Sequence, residues 1–185
     1  LANMSHEIRT PLTSIIGFAE VLGDEVEGQK GEMASLIHRS GIRLKQTLTS
    51  VLDLARLEED EMSLSLERTA LKEPIRETVN LLRPQVEDAD LALRLDLPAS
   101  SVTAVVDEAA FDRILTNLLT NAIKFTEGGH VTVALEAGPD TVTLTVADTG
   151  VGISESFLQR IFEAFEQESE GTMREYEGIG LGLTI

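Results

Sequence analysis

Residues 109–152, AAFDRILTNLLTNAIKFTEGGHVTVALEAGPDTVTLTVADTGVG, carry the reading that decides the fold. Over Ala109–Phe125 the apolar residues recur at helical spacing, which predicts one helix. Beyond Gly128-Gly129 the pattern turns β-rich. His130–Glu136 and Thr141–Ala147 read as strands separated by the turn Gly138-Pro139-Asp140. Within the helix, Asn117 and Asn121 stand four apart and Lys124 three further on, so the three share a face although Asn is a poor helix former. Two amide carbonyls and an ammonium on one stripe suit a hard cation and its phosphates. A solvated face with two polar positions is the plainer alternative.

Working outward, Leu91–Leu97 and Val102–Val106 are two more β-rich runs, and Leu71–Val86 reads as a helix. Pro74 is tolerable in that helix's first turn, whereas Pro84 is unfavourable near its end. Helices interleaved with mostly hairpin-connected strands predict an α/β sandwich, one sheet covered on one face by helices. Residues 60–70 form a short strand-like connector.

Upstream of the connector the pattern is helical. Leu1, Ile8, Leu12, Ile15, Ala19 and Leu22 fall on a 3-4 spacing, and Ala34, Ile37, Gly41, Leu44, Leu48, Val51 and Ala55 repeat it. Such a narrow seam suits helices packed side by side at a shallow angle. Residues 23–31, with three glycines and no periodicity, read as the turn between them. Two helices of this length bury too little alone, so a dimer forming a four-helix bundle is expected.

Composition narrows the chemistry. The 185 residues include no Cys and no Trp, 32 acidic and 15 basic side chains, and carry a net charge of −17. Without Cys, disulfide scaffolds, Cys-ligated zinc and thiol catalysis are excluded. No apolar run approaches the ~18–20 residues of a membrane span, and LANMSHEIRT lacks a signal-peptide pattern, so a soluble, cytoplasmic piece of protein is expected, belonging to either a membrane-anchored or a soluble whole. The charge argues against broad contact with nucleic acid or anionic lipid. A phosphate ligand would therefore be held by backbone amides and a metal ion. The acidic residues crowd 20–32, 58–61 and 163–177, and 11 of the 15 basic residues are Arg. A well-solvated surface and adaptation to high salt both account for this.

Three further places can carry chemistry. His6 lies beside the apolar seam, pointing away from the bundle axis, with Glu7 next to it and Thr10 one turn on. Pro11 cannot donate to the Glu7 carbonyl, so the helix is expected to weaken or bend there. The string opens like a zinc HExxH motif, but position 10 is Thr, so the second ligand is missing. An exposed His is ordinary surface, or, with an adjacent carboxylate taking one ring proton, a nucleophile. Asp148-Thr149-Gly150-Val151-Gly152 follows a strand, so the carboxylate ends it and the glycines let backbone approach a ligand. Gly178-Ile179-Gly180-Leu181-Gly182-Leu183 opens a helical-looking stretch suited to phosphate oxygens. Neither cluster is a P-loop, and neither fits GxGxxG. Ile161–Glu177 between them is charged, a lid or a long surface loop.

Taken in order, these segments resemble a sensor histidine kinase over essentially the whole chain. MSHEIRTPL (4–12) resembles the phosphoacceptor box, TNLLTNAIKFT (116–126) the asparagine box and DTGVGI (148–153) the first glycine box. IFEAFEQ (161–167) resembles the phenylalanine box, and GIGLGL (178–183) the second glycine box. The resemblance implies a dimerisation and phosphotransfer hairpin over 1–60, a linker over 61–70 and an ATP-binding domain over 71–185 of the gyrase and heat-shock-chaperone type.

It also implies roles. His6 would be the phosphorylated nucleophile and Glu7 its proton acceptor, and Glu7 with Thr10 would position water for dephosphorylation of a partner. Asn121 would ligate magnesium, with Asn117 and Lys124 near the phosphates. Asp148 would accept from the adenine amino group in a pocket shaped by Gly150 and Gly152. Gly178, Gly180 and Gly182 would face the phosphates, Phe162 and Phe165 would anchor the lid, and Arg174 would reach the γ-phosphate. ATP and Mg2+ are thus the implied ligands. A second copy and the receiver domain of a response regulator are the implied partners, with a sensor domain upstream.

Two departures stand out. Ile179 replaces a customary Thr, which predicts weakened nucleotide binding. The sequence ends at Ile185 inside the helix expected after the second glycine box, so the ATP-binding domain is expected to be C-terminally incomplete. Two other readings compete with this one: a catalytically weak phosphatase or scaffold module of the same fold, and a plain gyrase–chaperone ATPase. The second leaves His6 and the seam hairpin unexplained.

Overall fold

The computed structural model describes residues 2–58, 63–164, 166–167 and 181–184. They fall into two compact units, within residues 1–62 and within 63–183.

The first unit is a helical hairpin of α1 (Ala2–Glu25) and α2 (Gln29–Glu58). The turn is shorter than the glycines of 23–31 suggest: only residues 26–28 lie outside the helices, with Gly28 at φ +73°. Gly31 belongs to α2 and is buried, and a Cβ there would collide with the Val26 carbonyl oxygen. Its glycine therefore serves close approach, not helix breaking. Pro11 is accommodated inside a continuous α1.

The apolar seam divides in two. Leu12, Ala19, Ala34 and Gly41 are buried, whereas Ile8, Ile15, Leu22, Ile37, Leu44 and Val51 are exposed. Leu12 is 6% exposed and Ile15, three residues on, 51%. Each set recurs every seven residues, so one stripe faces the neighbouring helix and the other faces outward. Small residues bring the helices close: a Cβ on Gly41 would lie 2.7 Å from Ile16 Cγ1.

The second unit comprises β1 (Glu67–Ala70), α3 (Lys72–Asp88), β2 (Leu91–Asp96), β3 (Thr103–Val106), α4 (Glu108–Lys124), β4 (Gly129–Ala137), β5 (Val142–Asp148) and the short α5 (Glu155–Leu158). The pairing differs from a run of hairpins. Among the described residues only β4 and β5 are neighbours joined by a tight turn, with Val131 opposite Asp148 and Ala137 opposite Val142. β2 pairs with β4 in parallel, Leu91 opposite Gly129, and β1 pairs antiparallel with β3 in a separate two-stranded ladder. The reason is the crossover. Between β2 and β4 the chain traverses β3 and α4, which returns β4 in the same direction, as parallel pairing requires. Gly128-Gly129 thus turns a helix into a strand.

Two helices cover the three-stranded sheet. Ile75, Val79, Leu82 and Val86 of α3 meet Leu115, Leu119 and Ala122 of α4 and Val131, Val133 and Leu135 of β4 in one buried cluster. The alternating burial of β4 is the half-buried strand pattern, with its inner face under the helices. Pro74 is buried in the first turn of α3, where a missing N–H leaves no bond unmade. Pro84 is exposed, and α3 runs four residues past it.

Asp107 caps α4. Its Oδ1 accepts from the Ala110 N–H at 2.9 Å and its Oδ2 from the Ser65 N–H at 2.8 Å. The Ala110 bond, then the Ser65 bond, hold its carboxyl below the usual carboxylate range. On the next turn, burial pushes Asp112 upward, and its Oδ1 is buried with no hydrogen-bond partner.

Candidate functional site

The site is built around α4. Its inner face is Leu115, Leu119, Ala122 and Ile123, which leaves Asn117, Asn121 and Lys124 half-buried. The Asn117 side-chain amide donates to the Gly182 carbonyl at 2.9 Å, bringing together residues 65 apart in sequence. The Asn121 side chain has no hydrogen-bond partner among the described residues, so its amide oxygen is open to a ligand. The Lys124 ammonium lies 4.8 Å from the centre of the Phe125 ring.

Phe125, which ends α4, is the joint between that helix and the loop after β5. Its N–H donates to the Asn121 carbonyl at 3.0 Å, and its own carbonyl accepts from the Val151 N–H at 3.2 Å. A Cβ on Gly150 would collide with the same carbonyl oxygen. Gly150 is thus a close-approach glycine, whereas Gly152 sits at φ +72° in open space and meets a backbone requirement. Asp148 ends β5, as its position after the β-rich run implies. Its Oδ1 accepts from the Gly150 N–H at 2.9 Å, which leaves Oδ2 for another donor.

The remaining candidates distribute as follows. Thr10 is exposed on α1, where its carbonyl accepts from the Ser14 hydroxyl at 3.3 Å. His6 and Glu7 lie in α1 one turn before it, and their side chains are outside the described part of the structure. Phe162 is exposed in the turns after α5, where Arg160 and Glu166 form an ion pair at 2.9 Å. Gly182 and Leu183 lie in a turn, and Leu181 just before it is buried. Phe165, Arg174, Gly178 and Gly180 lie outside the described residues, as does most of the expected lid.

Sequence reasoning missed two participants. The carbonyl of Phe125 leaves no side-chain signal. Thr149 was visible inside the DTGVG string, but without its neighbours it had no role; its hydroxyl accepts from the His130 N–H at 3.0 Å and donates to the His130 carbonyl at 3.3 Å.

Among the described residues no cluster of three or more His, Cys, Asp or Glu side chains can hold a metal. The open amide oxygen of Asn121 is a hard donor, and it fits a magnesium ion that takes most of its ligands from phosphate and water. No helix among the described residues is long and apolar enough to cross a membrane.

Comparison with known proteins bears on the family and the fold. Residues 1–60 match the family described as the His Kinase A (phospho-acceptor) domain, and residues 106–185 match the histidine kinase-, DNA gyrase B- and HSP90-like ATPase family. The chain is 38% identical to the histidine protein kinase DivJ of Caulobacter vibrioides over 190 residues, covering all of this chain and 32% of that protein. The chain thus spans about a third of that relative's length. Among solved structures, full-length ShkA in complex with AMPPNP superposes with a TM-score of 0.80 at 32% identity, over 99% of this chain and 38% of that one. The histidine kinase ThkA in complex with the response regulator TrrA shares the fold, with a TM-score of 0.62 at 24% identity over 90% of this chain and 49% of that one. With a phospho-acceptor hairpin followed by a gyrase-type ATPase fold, the chain belongs to the sensor histidine kinases.

Proposed function

We propose that this chain is the catalytic core of a two-component sensor, in which 1–60 dimerises and carries the phosphoacceptor, 61–70 links and 71–185 binds ATP. It transfers the γ-phosphoryl group of ATP to His6, and then to an aspartate of a response-regulator receiver domain. The observation that carries this reading is the joint at Phe125, which ties the Asn121 helix to the Asp148 loop through adjacent backbone bonds.

In the first step an imidazole nitrogen of His6 attacks the γ-phosphorus. The N–P bond forms, the bond to the ADP oxygen breaks, and Glu7 takes the proton from the other ring nitrogen. In the second step the P–N bond breaks as the receiver carboxylate forms an acyl phosphate, and imidazole is restored. Asp148 Oδ2 accepts from the adenine amino group, in a pocket shaped by Gly150 and Gly152. Asn117, Lys124, Gly178, Gly180 and Gly182 line the phosphates, Arg174 reaches the γ-phosphate, and Phe162 and Phe165 anchor the lid. Magnesium, bound through Asn121, supplies the positive charge that brings a polyphosphate to a protein of net charge −17. Glu7 and Thr10 orient water when the core dephosphorylates its partner. The outward stripe of Ile8, Ile15, Leu22, Ile37, Leu44 and Val51 supports a dimeric four-helix bundle.

The test is incubation with γ-labelled ATP and magnesium. An acid-labile, alkali-stable label that disappears in His6→Gln is expected. A label that persists in that variant rejects the reading.

A further inference from the structure

We infer that Thr149 is a positioning residue that aims the Asp148 carboxylate and so sets the preference for a 6-aminopurine over a 6-oxopurine. This rests on the reading of Asp148 as the acceptor for the base.

Two separate features converge on the Thr149 hydroxyl. It clasps one residue twice, accepting from the His130 N–H at 3.0 Å and donating to the His130 carbonyl at 3.3 Å. The space it occupies exists only because residue 129 has no side chain: a Cβ on Gly129, itself at φ +120°, would overlap the hydroxyl oxygen. The first turn of the loop is thereby fixed to the start of β4. The χ1 of a β-branched residue has few options, so the clasp also fixes the backbone that carries it.

That backbone decides where Asp148 points. The peptide between Thr149 and Gly150 supplies the N–H that Asp148 Oδ1 accepts, at 2.9 Å. The next N–H, of Val151, goes to the Phe125 carbonyl at 3.2 Å. The loop is therefore held at both ends, by Thr149 on β4 and by Val151 on α4, with the Oδ1 bond between them. Release of the Thr149 end lets the Gly150 N–H rotate, and the carboxylate turns with it. A carboxylate oxygen held in place accepts from an exocyclic amino group and repels a 6-oxo group, since two acceptors face each other. A loose carboxylate loses both the attraction and the repulsion.

The bonds from His130 to Thr149 are solvent-exposed, so water replaces the hydroxyl in Thr149→Val and the fold survives. The experiment measures ATP and ITP affinity, both with magnesium, for the full chain and for Thr149→Val and Thr149→Ser. Val is expected to weaken ATP about five- to tenfold and to shrink the ATP-over-ITP ratio by a similar factor. Ser, which keeps the hydroxyl, is expected to restore both to within about twofold. Should Val fold poorly, Thr149→Ala supplies the same comparison. Unchanged ATP affinity in Val overturns the inference. So does a loss of ATP affinity at constant selectivity, which assigns Thr149 to loop stability alone. A wild-type chain that binds neither nucleotide refutes the ATP-binding reading itself, a result distinct from both.

Discussion

Gly150 and Phe125 meet backbone to backbone: the Phe125 carbonyl oxygen occupies the space where a side chain at 150 would begin. The helix bearing Asn121 and the loop bearing Asp148 therefore form one rigid joint. Gly150→Ala forces a shift, because the added carbon also meets the Phe125 carbonyl carbon at 2.9 Å and Asp148 Oδ1 at 3.0 Å. Such overpacking costs about 1–3 kcal/mol. The expected result is a lower melting temperature with ATP affinity reduced about tenfold or more by calorimetry. Gly152→Ala meets open space at φ +72°, so it carries only the ~1–2 kcal/mol of a left-handed backbone. Wild-type affinity in Gly150→Ala would show that the joint does not shape the nucleotide pocket.

The Asn121 amide has no partner to lose among the described residues. Asn121→Ala is accordingly expected to keep the wild-type melting curve. Its ATP binding, titrated with and without magnesium, should no longer respond to the ion. A variant that retains the full magnesium response removes Asn121 from the metal site.

Asp112 is raised by burial, with one carboxylate oxygen unpaired. A carboxyl whose folded-state pKa lies above its unfolded value destabilises the fold once pH exceeds the unfolded pKa, and the penalty vanishes in acid, where both states are protonated. Asp112→Asn is therefore expected to raise the melting temperature at neutral pH, with the gain shrinking as pH falls through the carboxylate range. A gain independent of pH would assign the effect to packing instead.

The two stripes of the hairpin predict opposite behaviours. Ile37→Glu and Leu44→Glu place charge on exposed positions, so each hairpin stays helical while light scattering shows monomers. Leu12→Ala removes a buried side chain at a cost of about 2–5 kcal/mol, so helicity melts earlier. Dimers that persist in both Glu variants would place the interface elsewhere.

Much of this architecture was legible in one dimension. Helical spacing located α1, α2, α3 and α4 to within a few residues, β-rich runs located β2, β3, β4 and β5 but not their partners, and β1 falls inside the strand-like connector of 60–70. The asparagine stripe and the Asp148 loop were also visible, since side-chain type and local spacing encode them. The turn of the hairpin was overestimated, because Gly31 reads as a breaker until the Val26 carbonyl is seen against it.

Periodicity and turn chemistry are local, and they settled where the elements lie and which residues carry polar chemistry. Tertiary structure alone decided that Leu12 and Ala19 turn inward while Ile8 and Ile15 face out, since one apolar stripe offers both choices until a second helix is present. It alone decided the parallel pairing of β2 with β4, the approach of Gly182 to Asn117 and the clasp of Thr149 on His130. These depend on strand direction and on backbone N–H and carbonyl groups, which every residue except proline carries alike and which no sequence pattern distinguishes.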